Sequence, residues 1–83
     1  MEPSHVRDAL RSFVLNDMIR LPTYDLQDDE PLITGGLVDS FSLALFGVFA
    51  EERFGVYIPD PELTVENLDT LNQMVARVLR DLA

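Results

Sequence analysis

An 83-residue chain with 15 acidic and 6 basic side chains, net charge −9, can bury only a small core, and its field repels nucleic acid. It has no cysteine, no lysine and a single histidine, His5, which excludes a disulfide framework, a zinc–cysteine site, a cysteine nucleophile and Schiff-base chemistry. No apolar run approaches the roughly 18 residues of a membrane span, and the opening MEPSHVRDALRSF lacks a signal-peptide core, so one soluble, cytoplasmic domain over residues 1–83 is expected.

The first predicted helix covers about residues 4–20. Ser4 is a suitable N-cap, and Val6, Leu10, Phe13, Val14, Met18 and Leu21 follow at spacings of three and four, giving one apolar stripe. Arg7 and Arg11 lie one turn apart on another face, and Pro22 should end the helix near Arg20. His5 falls in the first turn and reads as a solvated side chain.

Residues 21–39, LPTYDLQDDEPLITGGLVD, form a long connection, a feature that is uncommon in small domains and often functional. Leu26, Leu32 and Leu37 should pin it to the core. Asp25, Asp28, Asp29 and Glu30 bring calcium to mind, but Pro31 and Leu32 stand where an EF-hand loop needs ligands. The cluster therefore reads as a solvated acidic loop. Gly35 and Gly36 permit unusual backbone angles and close approach to the helix that follows.

The second helix is expected over about 40–54, with Asp39 as N-cap and Gly55 just past its end. Its apolar residues make two faces. Leu43, Phe46, Gly47, Ala50 and Phe54 form the face expected in the core. Phe41, Ala44, Leu45 and Val48, continued by Glu51 and Glu52, form an apolar strip ending in carboxylates, as a partner-binding surface does. The competing reading is a central helix buried all round. VYIPDPE then reads as an extended link with Val56 and Ile58 turned inward. A short helix over 64–68 follows, capped by Thr64. The last helix, 70–82, is capped by Asp69 or Thr70, and Thr70 with Gln73 makes a capping box. Leu71, Met74, Val75, Val78, Leu79 and Leu82 give it the cleanest amphipathic pattern in the chain, and Arg77 and Arg80 suit its C-terminal dipole. The expected fold is an all-α bundle of three main helices and one short one, with a long loop between the first and second.

The charge is unevenly spread. Through Arg20 three arginines balance three acids; from Leu21 to Glu52 there are seven acids and no base. The negative field therefore surrounds GGLVDSF, residues 35–41, and steers basic partners there. Ser40 stands in that stretch, at the junction of acidic loop and apolar helix. A helix N-terminus tolerates an attached anion. A catalytic serine would need a base and an oxyanion hole, and Asp39 alone is a poor base for a hydroxyl. The position suits a modified serine, and a small serine hydrolase is disfavoured.

The stretch DDEPLITGGLVDSF resembles the loop-to-helix signature of the acyl carrier and peptidyl carrier proteins, the phosphopantetheine-binding family. FAEERFGVYIPDPELTVENLDTL resembles the second half of that family. The likeness covers nearly the whole chain. It implies a right-handed bundle of three principal helices and one short one, with no catalytic activity of its own. It further implies that Ser40 receives 4′-phosphopantetheine from coenzyme A through a separate magnesium-dependent phosphopantetheinyl transferase. The arm's thiol would then hold an acyl or aminoacyl group as a thioester. The family's contacts with the transferase and with loading and processing enzymes fall at positions matching Asp39, Phe41, Leu45, Val48, Glu51 and Glu52. Phe41 stands where leucine or methionine is more usual, and Leu45 where fatty-acid carriers commonly have an acid. The resemblance therefore leans toward a specialised or secondary-metabolite carrier, expected as a monomer that binds neither metal nor membrane. The alternative is an unmodified acidic adaptor that binds a protein through the second helix.

Overall fold

The computed structural model describes residues 2–82, so the two outermost residues of the expected domain lie outside it. The architecture is the expected all-helical bundle, with no strand among the described residues. α1 spans Pro3–Phe13. It does not start from Ser4 as an N-cap. Glu2 precedes it in extended geometry, and the Glu2 carbonyl accepts from the N–H groups of His5 (3.0 Å) and Val6 (3.2 Å). Proline at the first helical position has the right φ and needs no N–H partner there, so the helix opens one residue early.

From Val14 to Ile19 the same helix widens to π geometry. Arg20 then turns left-handed (φ 64°), and the Leu21 N–H closes back on the Leu15 carbonyl at 2.9 Å. Helix 1 thus ends just before Pro22, as expected. Leu21, assigned to the apolar stripe, is instead 54% exposed, because the left-handed turn takes the chain off the helix before it.

α2 spans Ser42–Phe54 and ends as expected on Gly55, whose φ of 70° needs no Cβ to be accommodated. Its start is two residues later than expected, and Asp39 is not its N-cap. The N–H groups of Ser42, Leu43 and Ala44 bond the carbonyls of Asp39, Ser40 and Phe41 at 3.1–3.2 Å. These tight i to i+3 closures satisfy the orphan donors of the first turn without a side-chain cap. After α2, Val56 and Ile58 are buried and Tyr57 between them is exposed, the alternation of an extended link. A single 3₁₀ turn, Asp60–Glu62, leads to α3, Val65–Leu68.

α4 spans Leu71–Asp81, and the Thr70–Gln73 capping box forms in full. Its Leu71, Met74, Val75 and Val78 are buried, and α4 packs along α1. Val6, Leu10, Phe13, Val14 and Met18 of helix 1 face it in one core with Leu43, Phe46 and Ala50 of α2. Leu26 and Leu32 are buried and Leu37 half-buried, so the three loop leucines do hold the connection down.

The acidic loop is more than solvated charge. Asp28 pairs with Arg7 (3.2 Å) and with Arg11, while Arg11 also donates to the Leu26 carbonyl at 2.6 Å. The Asp28 carbonyl accepts from the Asn72 N–H of α4 at 3.0 Å. Tyr24 donates its hydroxyl to Glu30, and that bond raises the phenol pKa. Gly36 takes a positive φ of 83°. Gly35 makes a close approach, but to its own loop rather than to the helix: a Cβ there would lie 2.2 Å from the Pro31 carbonyl oxygen.

Candidate modification site

The loop is fixed upstream of Ser40 at a second point, Asp69, between α3 and α4. Its carboxylate accepts from the N–H groups of Ile33 (2.7 Å) and Thr34 (3.1 Å) and from the Thr34 hydroxyl (2.6 Å). Its own carbonyl accepts from the Leu32 N–H at 2.7 Å. Burial pushes the Asp69 carboxyl up, but the bonds from Thr34 and Ile33 outweigh it and hold the group below its ordinary value. Asp69 was readable in sequence only as a possible cap for α4; its role as tether depends on a residue 36 positions away.

Downstream of that tether the chain reaches Asp39, Ser40 and Phe41, all exposed. Ser40 and Phe41 form the turn that leads into α2. The first helical N–H groups, those of Ser42, Leu43 and Ala44, are closed on the carbonyls of Asp39, Ser40 and Phe41. The arrangement fits an anionic group esterified to Ser40: an exposed serine at the positive end of a 13-residue helix. It does not fit a hydroxyl activated by histidine. His5 lies in the first turn of α1, whereas the cavity that Asp39 and Ser42 border is lined by Asp17, Met18 and Arg20 at the opposite end of helix 1.

Along α2 the two faces separate. Leu43, Phe46 and Ala50 are buried and Phe54 is half-buried. Gly47 lets Leu63 approach, so that an added Cβ would sit 3.1 Å from it. Phe41 is 85% exposed, Val48 55% and Leu45 47%, with Ala44, Glu51 and Glu52 also exposed. The sequence candidates other than the helix cap thus share one accessible strip that begins at Ser40.

Three cavities follow the seam between helix 1 and α2. One of about 370 Å³ is bordered by Met18, Arg20, Leu37, Asp39, Ser42 and Leu45. The next, about 340 Å³, shares Asp17, Arg20 and Leu45 with it and adds Phe13, Val48, Phe49 and Glu52. The third, about 520 Å³, shares Phe13 and Phe49 and reaches His5, Asp8 and Arg53. Phe13 and Phe49 stack across the seam with ring centroids 4.2 Å apart. On the other side of α2 a smaller cavity of about 210 Å³ lies against Gly47, Tyr57 and Leu63.

Over 62 residues the chain is 40% identical to the acyl carrier protein of Acidothermus cellulolyticus, covering 75% of this chain and 71% of that protein. The chain belongs to the acyl carrier protein family. A solved structure described as the crystal structure of an FAD-dependent dehydrogenase contains a chain of similar fold, with TM-score 0.68 and 28% identity over 82% of this chain and 96% of that chain. No protein-family profile matches. Family membership makes this a carrier protein, and no helix among the described residues is long and apolar enough to cross a membrane.

Proposed function

We propose that residues 1–83 form one non-catalytic carrier unit that tethers acyl or aminoacyl intermediates on a 4′-phosphopantetheine arm esterified to Ser40. The supporting observation is the exposed Ser40 hydroxyl, presented on a tethered loop at the mouth of α2 in a member of the acyl carrier protein family. When present, the arm supplies the terminal thiol that this cysteine-free chain lacks. The residues' own work is presentation. Asp69 and Asp28 hold the loop, the turn exposes Ser40, and the positive end of α2 meets the phosphodiester's charge.

The strip of Asp39, Phe41, Leu45, Val48, Glu51 and Glu52 serves as the recognition face for a phosphopantetheinyl transferase and for loading and processing enzymes. Apolar contact there provides affinity, while the carboxylates steer basic partners. Because the chain of similar fold comes from an FAD-dependent dehydrogenase structure, a flavin enzyme acting on tethered cargo is one processing partner to test. The apolar Leu45 and Phe41 favour a specialised or secondary-metabolite pathway, with the carrier working as a soluble cytoplasmic monomer.

The test is intact mass after incubation with coenzyme A, magnesium and a permissive transferase. A gain of one phosphopantetheinyl group, followed by a second gain on supply of an acyl or aminoacyl donor, supports the reading. A folded protein that takes up nothing from two unrelated transferases returns the chain to the unmodified adaptor, with the α2 strip as its binding surface.

A further inference from the structure

We infer that Asp69 is a positioning residue for the transfer of the arm to Ser40; the inference rests on the carrier reading above. The transfer forms a bond from the Ser40 Oγ to the β-phosphorus of coenzyme A. The pyrophosphate bond breaks, adenosine 3′,5′-bisphosphate leaves with the electron pair, and the Ser40 proton passes to a base of the transferase. No group of Asp69 takes part in that exchange. Its work is to set where the Ser40 hydroxyl stands when the transferase docks.

The path from Asp69 to Ser40 is a chain of hydrogen bonds. Asp69 accepts from the N–H groups of Leu32, Ile33 and Thr34 and from the Thr34 hydroxyl, which fixes three successive residues. The Leu32 carbonyl then accepts from the N–H groups of Leu37 (2.9 Å) and Val38 (3.0 Å), and the Ile33 carbonyl from that of Gly36 (3.1 Å). Residues 32–38 are thus closed into a ring that ends at Val38, and only Asp39 separates that ring from Ser40. From the other side, the carbonyls of Asp39 and Ser40 accept from the N–H groups of Ser42 and Leu43 at the start of α2. Ser40 therefore stands between two fixed points, and Asp69 holds the upstream one.

The anchor is itself held. The Asp69 N–H donates to the Gln73 side-chain oxygen at 2.8 Å, and the Gln73 side-chain nitrogen donates to the Glu66 carbonyl of α3 at 3.0 Å. The same Gln73 closes the capping box of α4. Asp69 therefore ties Ser40 to the joint of α3 and α4, outside the α2 strip. Asp28, the other tether, meets its arginines four residues before Leu32 and outside the ring. A hydroxyl misplaced by about 1 Å can slow a positioned transfer by up to about 100-fold. When the tether opens, only the fraction of loops still in place reacts, and the rate falls with that fraction.

The experiment measures single-turnover loading of the full-length protein from coenzyme A and magnesium at saturating transferase, read by intact mass. Asp69→Ala should slow the saturated rate about tenfold and leave the transferase concentration at half-maximal rate within about twofold, because the α2 strip is untouched. Asp69→Asn keeps an acceptor oxygen for Ile33 and Thr34 and should recover most of the rate. Thr34→Val should slow the wild type about twofold and add nothing in the Asp69→Ala background. Asp81→Asn, at the far end of α4, should load at the wild-type rate. Folded Asp69→Ala that loads at the wild-type rate, a change confined to the half-maximal concentration, or equal slowing in Asp81→Asn overturns the positioning role and leaves the carrier reading intact. If Asp69→Ala does not fold, Thr34→Val decides: slowing supports the role, and a wild-type rate overturns it. Wild-type protein that takes up nothing overturns the carrier reading and the role of Asp69 with it.

Discussion

α4 and α2 are neighbours in one core but spend their apolar residues differently. α4 concentrates them in one stripe, and Leu71, Met74, Val75 and Val78 all disappear into the bundle. α2 buries Leu43, Phe46 and Ala50 and leaves Leu45 and Val48 about half exposed, with Phe41 more exposed still just before it. A small domain gains nothing in stability from an exposed apolar strip, and the surplus on α2 is what the proposed recognition face would use. α4 spends its apolar residues on the fold, whereas α2 serves the fold with one face and, in the function proposed above, partners with the other.

The largest expected effect breaks that division at its core side. Phe46 is fully buried, and Phe46→Ala should cost about 3–5 kcal/mol in denaturant unfolding. A change within error would mean that the two faces of α2 are reversed. Next is the loop that presents Ser40. Gly35→Ala drives a methyl into the Pro31 carbonyl, a backbone atom that cannot simply rotate away, and should cost about 1–3 kcal/mol. An unchanged unfolding midpoint would show that the loop is freer than its contacts imply.

The tether at Asp69 sharpens the comparison through pH. Its folded pKa is lowered, so the stability it contributes is fully present above the ordinary carboxylate range, near pH 4, and is lost as pH falls through the lowered value. Asp69→Asn should therefore be less stable near neutrality and show a flatter acid limb than wild type. An identical slope below about pH 4 would count against the tether. Asp81, at the far end of α4, is also lowered, mainly by its bond from Arg77, and Asp81→Asn provides the control away from the loop.

The smallest effect on stability falls on the outer face. Leu45→Glu changes an exposed position and should leave unfolding within about 0.5 kcal/mol of wild type. It should nevertheless slow loading by the partner enzymes. Unchanged loading rates would remove Leu45 from the recognition face.

Much of this arrangement could be read from local sequence. The capping box of α4, the Gly55 stop and the two faces of α2 are written within a turn or two of each other, where spacing reports directly on geometry. The misreadings have local causes too. Ser4 and Asp39 are good caps by type, but Pro3 and the tight turn from Asp39 to Phe41 satisfy the helix ends by backbone geometry alone. The tethers could not be read at all. Asp28 reads in sequence as part of a solvated acidic loop and Asp69 as a possible helix cap, and only the fold brings Arg7, Arg11, Ile33 and Thr34 to them. The cavity beside Ser40 needs the meeting of helix 1, loop and α2, which no single stretch encodes.

The central claim is that Ser40, and not merely a serine in this region, carries the arm. Ser42 lies two residues on, half-buried in the first turn of α2 and bordering that cavity. The most direct measurement is fragment mapping by mass spectrometry of the protein loaded from coenzyme A, alongside Ser40→Ala and Ser42→Ala. The account predicts one phosphopantetheinyl group on Ser40, full loading of Ser42→Ala and none of Ser40→Ala. A group found on Ser42, or loading that survives Ser40→Ala, would contradict it.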